Sequence, residues 1–376
     1  MKSKLSLVIL SIFTLAIIQT SKAQQRAIYN GYPLMISTDN LIDIKIDDFL
    51  VFGKWEFTPG VNMKSNTINI PFLKPENISI HTKVDSLNFL IDSENPQRFF
   101  ILNDTIYTLI TIQGTQSELD TLSFDTDSTS RDIVFWYEQN DNNKYLQLLR
   151  SKFPIDSLLE GVKTDMDKTL RVMNWVHNQW QHDGNNEPRK NDAISILEEV
   201  KEGKNFRCVE YAIVASACLN AVGLKARTIG LKIKDVETTE YGAGHVATEV
   251  FLNDMNKWAF VDVQFNTMPV LNGIPLNAVE FQQTINNQAD QIEIKSLTKL
   301  LPASLYLGWI YPYLYYFDVD FDNREGVDQK QKIDGKSSLM LVPLGAKTPT
   351  VFQIKYPLEN FKYTNSLADF YTKPLK

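Results

Sequence analysis

The feature that most constrains this chain lies near its middle, in the segment Asn205-Phe-Arg-Cys-Val-Glu-Tyr-Ala-Ile-Val-Ala-Ser-Ala-Cys-Leu-Asn-Ala-Val-Gly223. Asn205 can cap a helix and Gly223 can end one. Between them the side chains are apolar almost all round the helical wheel. A helix without a polar face has to be buried on most sides, so the rest of the chain must wrap it. Cys208 falls in its first turn, where the positive end of the helix dipole and the unpaired N–H groups favour a thiolate. The same N–H groups suit an oxyanion formed beside the sulfur.

The wrapping material differs along the 376 residues. From 24 to 140, short alternating runs (Leu41–Ile46, Thr67–Ile70, Ile78–Ile80, Phe99–Leu102, Ile106–Ile112) are separated by Gly, Pro, Asn and Asp, the pattern of an antiparallel β domain. It carries no motif for chemistry, which leaves it a structural or substrate-presenting role. From 145 to 290 the pattern is helix, helix, helix, then strands. Thr164 or Asp165 can cap a helix reaching about Gln181, with Met166, Leu170, Met173, Val176 and Trp180 at helical spacing and Gly184 and Pro188 as stops. Asp192 can cap a short helix over Ala193–Val200 that Gly203 breaks. From 296 to 376 the chain is aromatic-rich and then strand-like, at Leu339–Val342 and Val351–Tyr356. A net charge of -7 with no basic stripe argues against nucleic acid or an anionic membrane surface as partner.

The N-terminus reads as an export signal. Lys2 and Lys4 precede an apolar run from Leu5 to Ile18, and Ser21-Lys22-Ala23 offers a cut after Ala23. The run is shorter than the roughly 20 residues of a spanning helix, and no later segment is apolar for long enough, so no integral span is expected after cleavage. The expected location is periplasmic or extracellular. Export makes the cysteines informative. Cys208 and Cys218 sit ten positions apart on one helix, roughly 15 Å along its axis, beyond disulfide reach. Cys208 is then a free thiol outside the cytoplasm, there to react, and Cys218 an inert buried residue.

A base follows the thiol. Gly242-Ala-Gly-His-Val-Ala-Thr-Glu-Val-Phe-Leu252 reads as a strand entered through a glycine-rich turn, Asn253–Asn256 as a turn, and Lys257–Val263 as the return strand. If 252 pairs with 257, then 247 lies opposite 262, and His245 and Asp262 are diagonal neighbours on one face. A loop one residue longer or shorter would reverse that parity. A carboxylate so placed can hold an imidazole in one tautomer and stabilise its protonated form.

Arg207-Cys208-x-x-Tyr211-Ala212, Ala221-Val-Gly-Leu-Lys-Ala-Arg227, His245-x-x-x-Glu249-Val250 and Trp258-x-x-x-Asp262 together resemble the transglutaminase-like superfamily in order and spacing. The resemblance covers about 145 to 290. It implies an α+β fold with a papain-like core, a central helix packed on an antiparallel sheet, flanked here by the N-terminal β domain and a C-terminal β-rich region. It implies Cys208 as nucleophile, His245 as base and then acid, and Asp262 as orienter, in an exported, bacterial-type member. Where the family often has Trp after the His, Val246 and Ala247 stand here. Where it commonly has Gly two residues before the Cys, Phe206 stands. Both changes are expected at the rim of the site, where they bear on substrate choice.

Trp180, His182 and Asp183, at the expected helix end, are candidates to line the substrate pocket, with Trp180 or Gln179 as a candidate oxyanion donor. Glu210 reads as a first-turn carboxylate favoured by the dipole. Cofactors and metals are not expected: His177 and His182 do not share a helix face, and Asp318–Asp322 starts like a calcium loop but has Asn323 where Gly is needed and alternates like a strand. The expected activity is thiol attack on an amide of a peptide or protein, with hydrolysis favoured over crosslinking. The alternative is a non-catalytic binding module on the same scaffold.

Overall fold

The computed structural model describes residues 26–374 apart from 47–48, 61–65, 74, 117, 128–132, 139–142 and 299–301. The export segment expected at 1–23 lies outside the described residues, as does the boundary expected near 140.

Among the described residues strands come first: β1 (Ile28–Tyr29), β2 (Tyr32–Ser37), β3 (Leu41–Ile46), β4 (Phe49–Glu56), β5 (Thr67–Phe72), β6 (Glu76–His81), β7 (Ser86–Ile91), β8 (Gln97–Asn103) and β9 (Ile106–Gln116). They form a five-stranded sheet, β1-β2-β8-β9-β5, and a four-stranded sheet, β4-β3-β6-β7. Every second side chain points inward, so Ile42, Ile44, Ile46, Ile78 and Ile80 of one sheet share a core with Met35, Phe99, Ile101, Ile110 and Ile112 of the other. The expected all-antiparallel pairing is corrected at two places. β2 runs parallel to β8, and β5 parallel to β9. The long excursions through the other sheet make parallel return possible, and alternation alone carries no sign of it.

Helices follow: α1 (Lys144–Lys152), α2 (Ile155–Leu158), α3 (Asp165–His177), α4 (Ala193–Lys201) and α5 (Cys208–Ala221). Then come β10 (Lys225–Lys232), β11 (Gly244–Leu252), β12 (Lys257–Val261), β13 (Met268–Leu271), β14 (Ile274–Pro275), α6 (Ala278–Gln288) and β15 (Ile292–Lys295). The chain closes with α7 (Ala303–Ile310), a 3-10 turn (Tyr311–Tyr313), β16 (Tyr316–Asp320), β17 (Ser338–Leu341), β18 (Val351–Phe352), β19 (Tyr356–Pro357), β20 (Phe361–Thr364) and α8 (Leu367–Phe370).

The central sheet has the order β12-β11-β10-β16-β17-β20, antiparallel except for the last pair. The strand-rich C-terminal stretch therefore continues the sheet that carries the hairpin. One face packs on α5 and the helices around it, through Ala226, Val250, Leu252, Ala259 and Val261. The other face, with Ile229, Leu231, Ala247, Phe251 and Phe260, packs on α6 and α7. α5 is buried along nearly its whole length, as its missing polar face requires. Each fully buried Val or Leu on it contributes about 1.5–3 kcal/mol over an exposed one.

Three local expectations are corrected. Thr164 does cap α3, its side chain accepting from Asp167 N, but the helix ends at His177. The chain leaves it early so that His182 can pair with Phe206 in an isolated bridge. α5 is entered through extended Arg207, not Asn205. Glu210 accepts from the Arg207 backbone N–H at 3.0 Å, while Asn205 accepts from Gln181 N at 3.1 Å. Val351–Tyr356 is not one strand: Gln353 and Ile354 have φ of 50° and 60°, which folds it into the tight β18–β19 hairpin. Asp318 and Asp320 do lie in a strand, β16.

Candidate active site

Cys208 is the first residue of α5 and is half-buried. Thr248 Oγ1 donates to Ala212 O at 3.4 Å, which ties α5 to β11 one turn above the thiol. Back from that tie, the four helical residues to Cys208 span about 6 Å and the three strand residues to His245 about 10 Å. The start of α5 and the start of β11 thus lie toward the same end of the pair. The Cys208 side chain lies close enough to the His245 imidazole to raise its pKa.

The hairpin has the expected register, with Leu252 opposite Lys257 and Thr248 opposite Val261. Asn256 closes the turn with a φ of 54°, a conformation Asn tolerates better than most residues. The parity then puts His245 and Asp262 on one face, and His245 Nε2 meets Asp262 Oδ2 at 2.9 Å. Nδ1 is left as the ring nitrogen for Cys208. His245 is 3% exposed and Asp262 is fully enclosed. Burial alone drives the His245 pKa down. The Asp262 carboxylate, by charge and hydrogen bond, and then Cys208, by the same two effects, outweigh it and push the pKa up to about 10.

Four neighbours had no part in the sequence reading. Tyr306, on α7, donates its hydroxyl to Asp262 Oδ2 at 3.0 Å. Phe265 N donates to Oδ1 at 3.4 Å. Around the imidazole stand Trp309, edge-on at 5.0 Å between centroids, Tyr313 at 6.0 Å and the Phe265 ring at 6.3 Å. Burial, and then the Cys208 charge, push the Tyr313 phenol up. Tyr306, Trp309 and Tyr313 are spaced as one helix face, a signal present in the sequence. Such an aromatic stripe ordinarily marks core, and it lies far along the chain from the cysteine.

The other predicted residues part company. Trp180 does not line a cleft: it is buried, stacked on Tyr211 at 4.2 Å, with its indole Nε1 sealed from solvent. Gln179 spends its amide on Trp175 O at 2.8 Å. Neither donor is presented to an oxyanion. His182 and Asp183 run beside the segment leading into the cysteine, with Asp183 N donating to Phe206 O at 2.9 Å. Burial, and then the charge on His245, hold the His182 pKa below the usual histidine range. Glu210 is buried, and Arg207 Nη2 donates to it at 2.7 Å. Of the residues expected at the rim, Val246 is half-buried, while Ala247 and Phe206 are fully buried, the first in a strand covered on both faces and the second packed edge-on against Trp180.

A cavity of about 620 Å³ opens at the other end of α5, beside Asn220–Gly223. That is about 20 Å from Cys208 along the axis, at the negative end of the dipole. Among the described residues no cluster of three or more His, Cys, Asp or Glu could hold a metal ion, and no helix is long and apolar enough to cross a membrane.

What the arrangement offers is a half-exposed thiol, an imidazole bridging it to an enclosed carboxylate, and a helix N-terminus beside the sulfur. Residues 155–263, which hold all three groups, match the family model of the transglutaminase-like superfamily. No curated protein matches the sequence. Solved structures similar to this chain include a provisionally assigned cysteine protease of Cytophaga hutchinsonii (16% identity, 45% of this chain and 53% of that one, TM-score 0.27). Another is a provisionally assigned protease of Parabacteroides distasonis (14%, 55% and 39%, 0.24), and a third is red sea bream transglutaminase (9%, 72% and 51%, 0.27). The chain thus spans about half or less of the length of each of these chains. Residues 155–263 of this protein form a domain of the transglutaminase-like superfamily.

Proposed function

We propose that the protein is an exported thiol enzyme that attacks an amide carbonyl of a peptide or protein through Cys208. The observation that carries the reading is the convergence of three groups: Asp262 holds His245 by a 2.9 Å hydrogen bond, and Cys208 lies close enough to that imidazole to raise its pKa. A scaffold kept only for binding has no need to hold a half-exposed thiol on a buried imidazole. The thiolate adds to the carbonyl carbon, and backbone N–H groups of the first turn of α5 receive the oxyanion. The tetrahedral adduct collapses to a thioester as the C–N bond breaks, and the amine leaves with the proton held on His245. The now neutral imidazole then takes a proton from the acyl acceptor as that acceptor attacks the thioester. Asp262 keeps its charge throughout and holds the ring in one orientation.

The acceptor, water or an amine, completes either hydrolysis or acyl transfer. The sequence-based preference for hydrolysis rested on an open rim at Val246 and Ala247; Ala247 is buried and Val246 half-buried, so that ground rests on Val246 alone. The leading segment, residues 1–23, is proposed to be removed during export to the periplasm or beyond the cell.

The test is to incubate the purified mature protein with peptide and glutamine-donor libraries, with and without a primary amine, and to weigh both products and protein. The reading expects an acyl adduct on Cys208 whose turnover stops in Cys208→Ala. No Cys208-dependent adduct or product from a broad library would shift the reading to a binding module. The mass of the secreted chain's N-terminal peptide tests the cut after Ala23.

A further inference from the structure

We infer that Tyr306 is a positioning residue: its hydroxyl, donated to Asp262 Oδ2, fixes the carboxylate against His245, so that α7 is a working part of the site. The inference rests on the reading of Cys208, His245 and Asp262 given above. It concerns a segment beyond the matched domain, which ends at 263.

Asp262 is fully enclosed, so donors of the protein must supply what water would give an exposed carboxylate. Oδ1 has a long bond from Phe265 N at 3.4 Å. Oδ2 takes the two short ones, from His245 Nε2 at 2.9 Å and Tyr306 at 3.0 Å. One oxygen is thus shared between the imidazole it orients and the phenol that holds it. Tyr306 is itself immobilised. It is 1% exposed, and its ring lies between Phe265 at 5.5 Å and Phe281 of α6 at 6.3 Å. Burial, and then the Asp262 charge, push its phenol well up, so it stays a donor. One turn further along α7, on the same face, Trp309 sets its ring edge-on to His245.

The helix is braced from behind. A Cβ at Gly308 would stand 3.1 Å from Phe72 Cα, so α7 packs backbone to backbone on β5 of the N-terminal strands. The N-terminal β region thereby acquires a role in the site at second hand. It seats the helix that delivers the phenol.

A core tyrosine whose hydroxyl merely found the nearest acceptor would show the same contacts, so the test needs a readout that packing does not move. The probe is iodoacetamide on the full mature chain, with the rate of Cys208 alkylation followed from acidic to alkaline pH. An imidazolium without a fixed carboxylate is less stable, and the thiolate paired with it then appears at higher pH. Tyr306→Phe, folded by circular dichroism, is expected to raise the midpoint of the rate profile by roughly one pH unit, and His245→Ala to raise it further. A Tyr306→Phe midpoint equal to wild type, with His245→Ala displaced, overturns this inference and leaves the function standing. Both midpoints unmoved overturns the function as well. If Tyr306→Phe does not fold, 3-fluorotyrosine at 306 keeps the ring and hydroxyl and changes donor strength alone. An unmoved midpoint there is equally fatal to the inference.

Discussion

The two ends of α5 each carry a cysteine, and they could hardly be more different. Cys208 opens the helix, half-buried, in its first turn and close enough to an imidazole to raise its pKa. Cys218 lies in the third turn, fully buried among apolar side chains, and burial pushes its thiol far above the ordinary range. The same side chain on the same helix is thus the proposed nucleophile at one end and a piece of core at the other. Position on the helix and access to a partner decide which, as expected of thiols generally.

The largest expected effect is on labelling. Alkylation of Cys218 requires the core to open, whereas Cys208 is accessible in the folded state. In the native protein at neutral pH, iodoacetamide should label Cys208 at least ~1000-fold faster, the factor that an opening free energy of a few kcal/mol imposes. Peptide mapping over a time course reads the ratio, and comparable rates would erase the contrast.

Next in size is the buried pair that the Cys208 end depends on. Asp262→Asn removes the charged partner of an enclosed imidazolium and should cost about 3 kcal/mol. The sign of its pH dependence follows from the His245 pKa, which is raised from 6.5 to about 10. The stabilisation is fully present below the unfolded value and is lost as pH rises through the folded one. Urea midpoints of wild type and variant should therefore differ most under mildly acidic conditions and converge toward pH 10. A gap that widens with pH would contradict the assignment.

The smallest effect is at the other end of the helix. Cys218→Ala should cost about 1 kcal/mol by leaving a small void, with the Cys208 alkylation profile unchanged. A displaced profile would mean that the two ends are coupled through the helix.

How far this contrast could be read from sequence varies residue by residue. The buried helix was legible because it lacks a polar face, and the His245–Asp262 pairing because a four-residue turn sets the parity of a hairpin. The rim was not. Ala247 was taken as exposed on a family comparison, but from there to Leu252 β11 is covered on both faces. Trp180 was placed on a helix that ends sooner, and its bridge-bound segment turns the indole into the core. Tyr306, Trp309 and Tyr313 were legible only as a stripe, because an aromatic face reads the same whether it packs on leucines or on an imidazole. The parallel pairs among the N-terminal strands leave no periodic trace at all.

The central claim is that His245 activates Cys208. It is tested most directly by the pH profile of Cys208 alkylation in His245→Ala, with Cys218 as the internal standard. The account predicts that reactivity at neutral pH falls and that the rise of the profile moves to higher pH, while the variant stays folded. A folded His245→Ala protein whose Cys208 alkylates with the wild-type profile would contradict it.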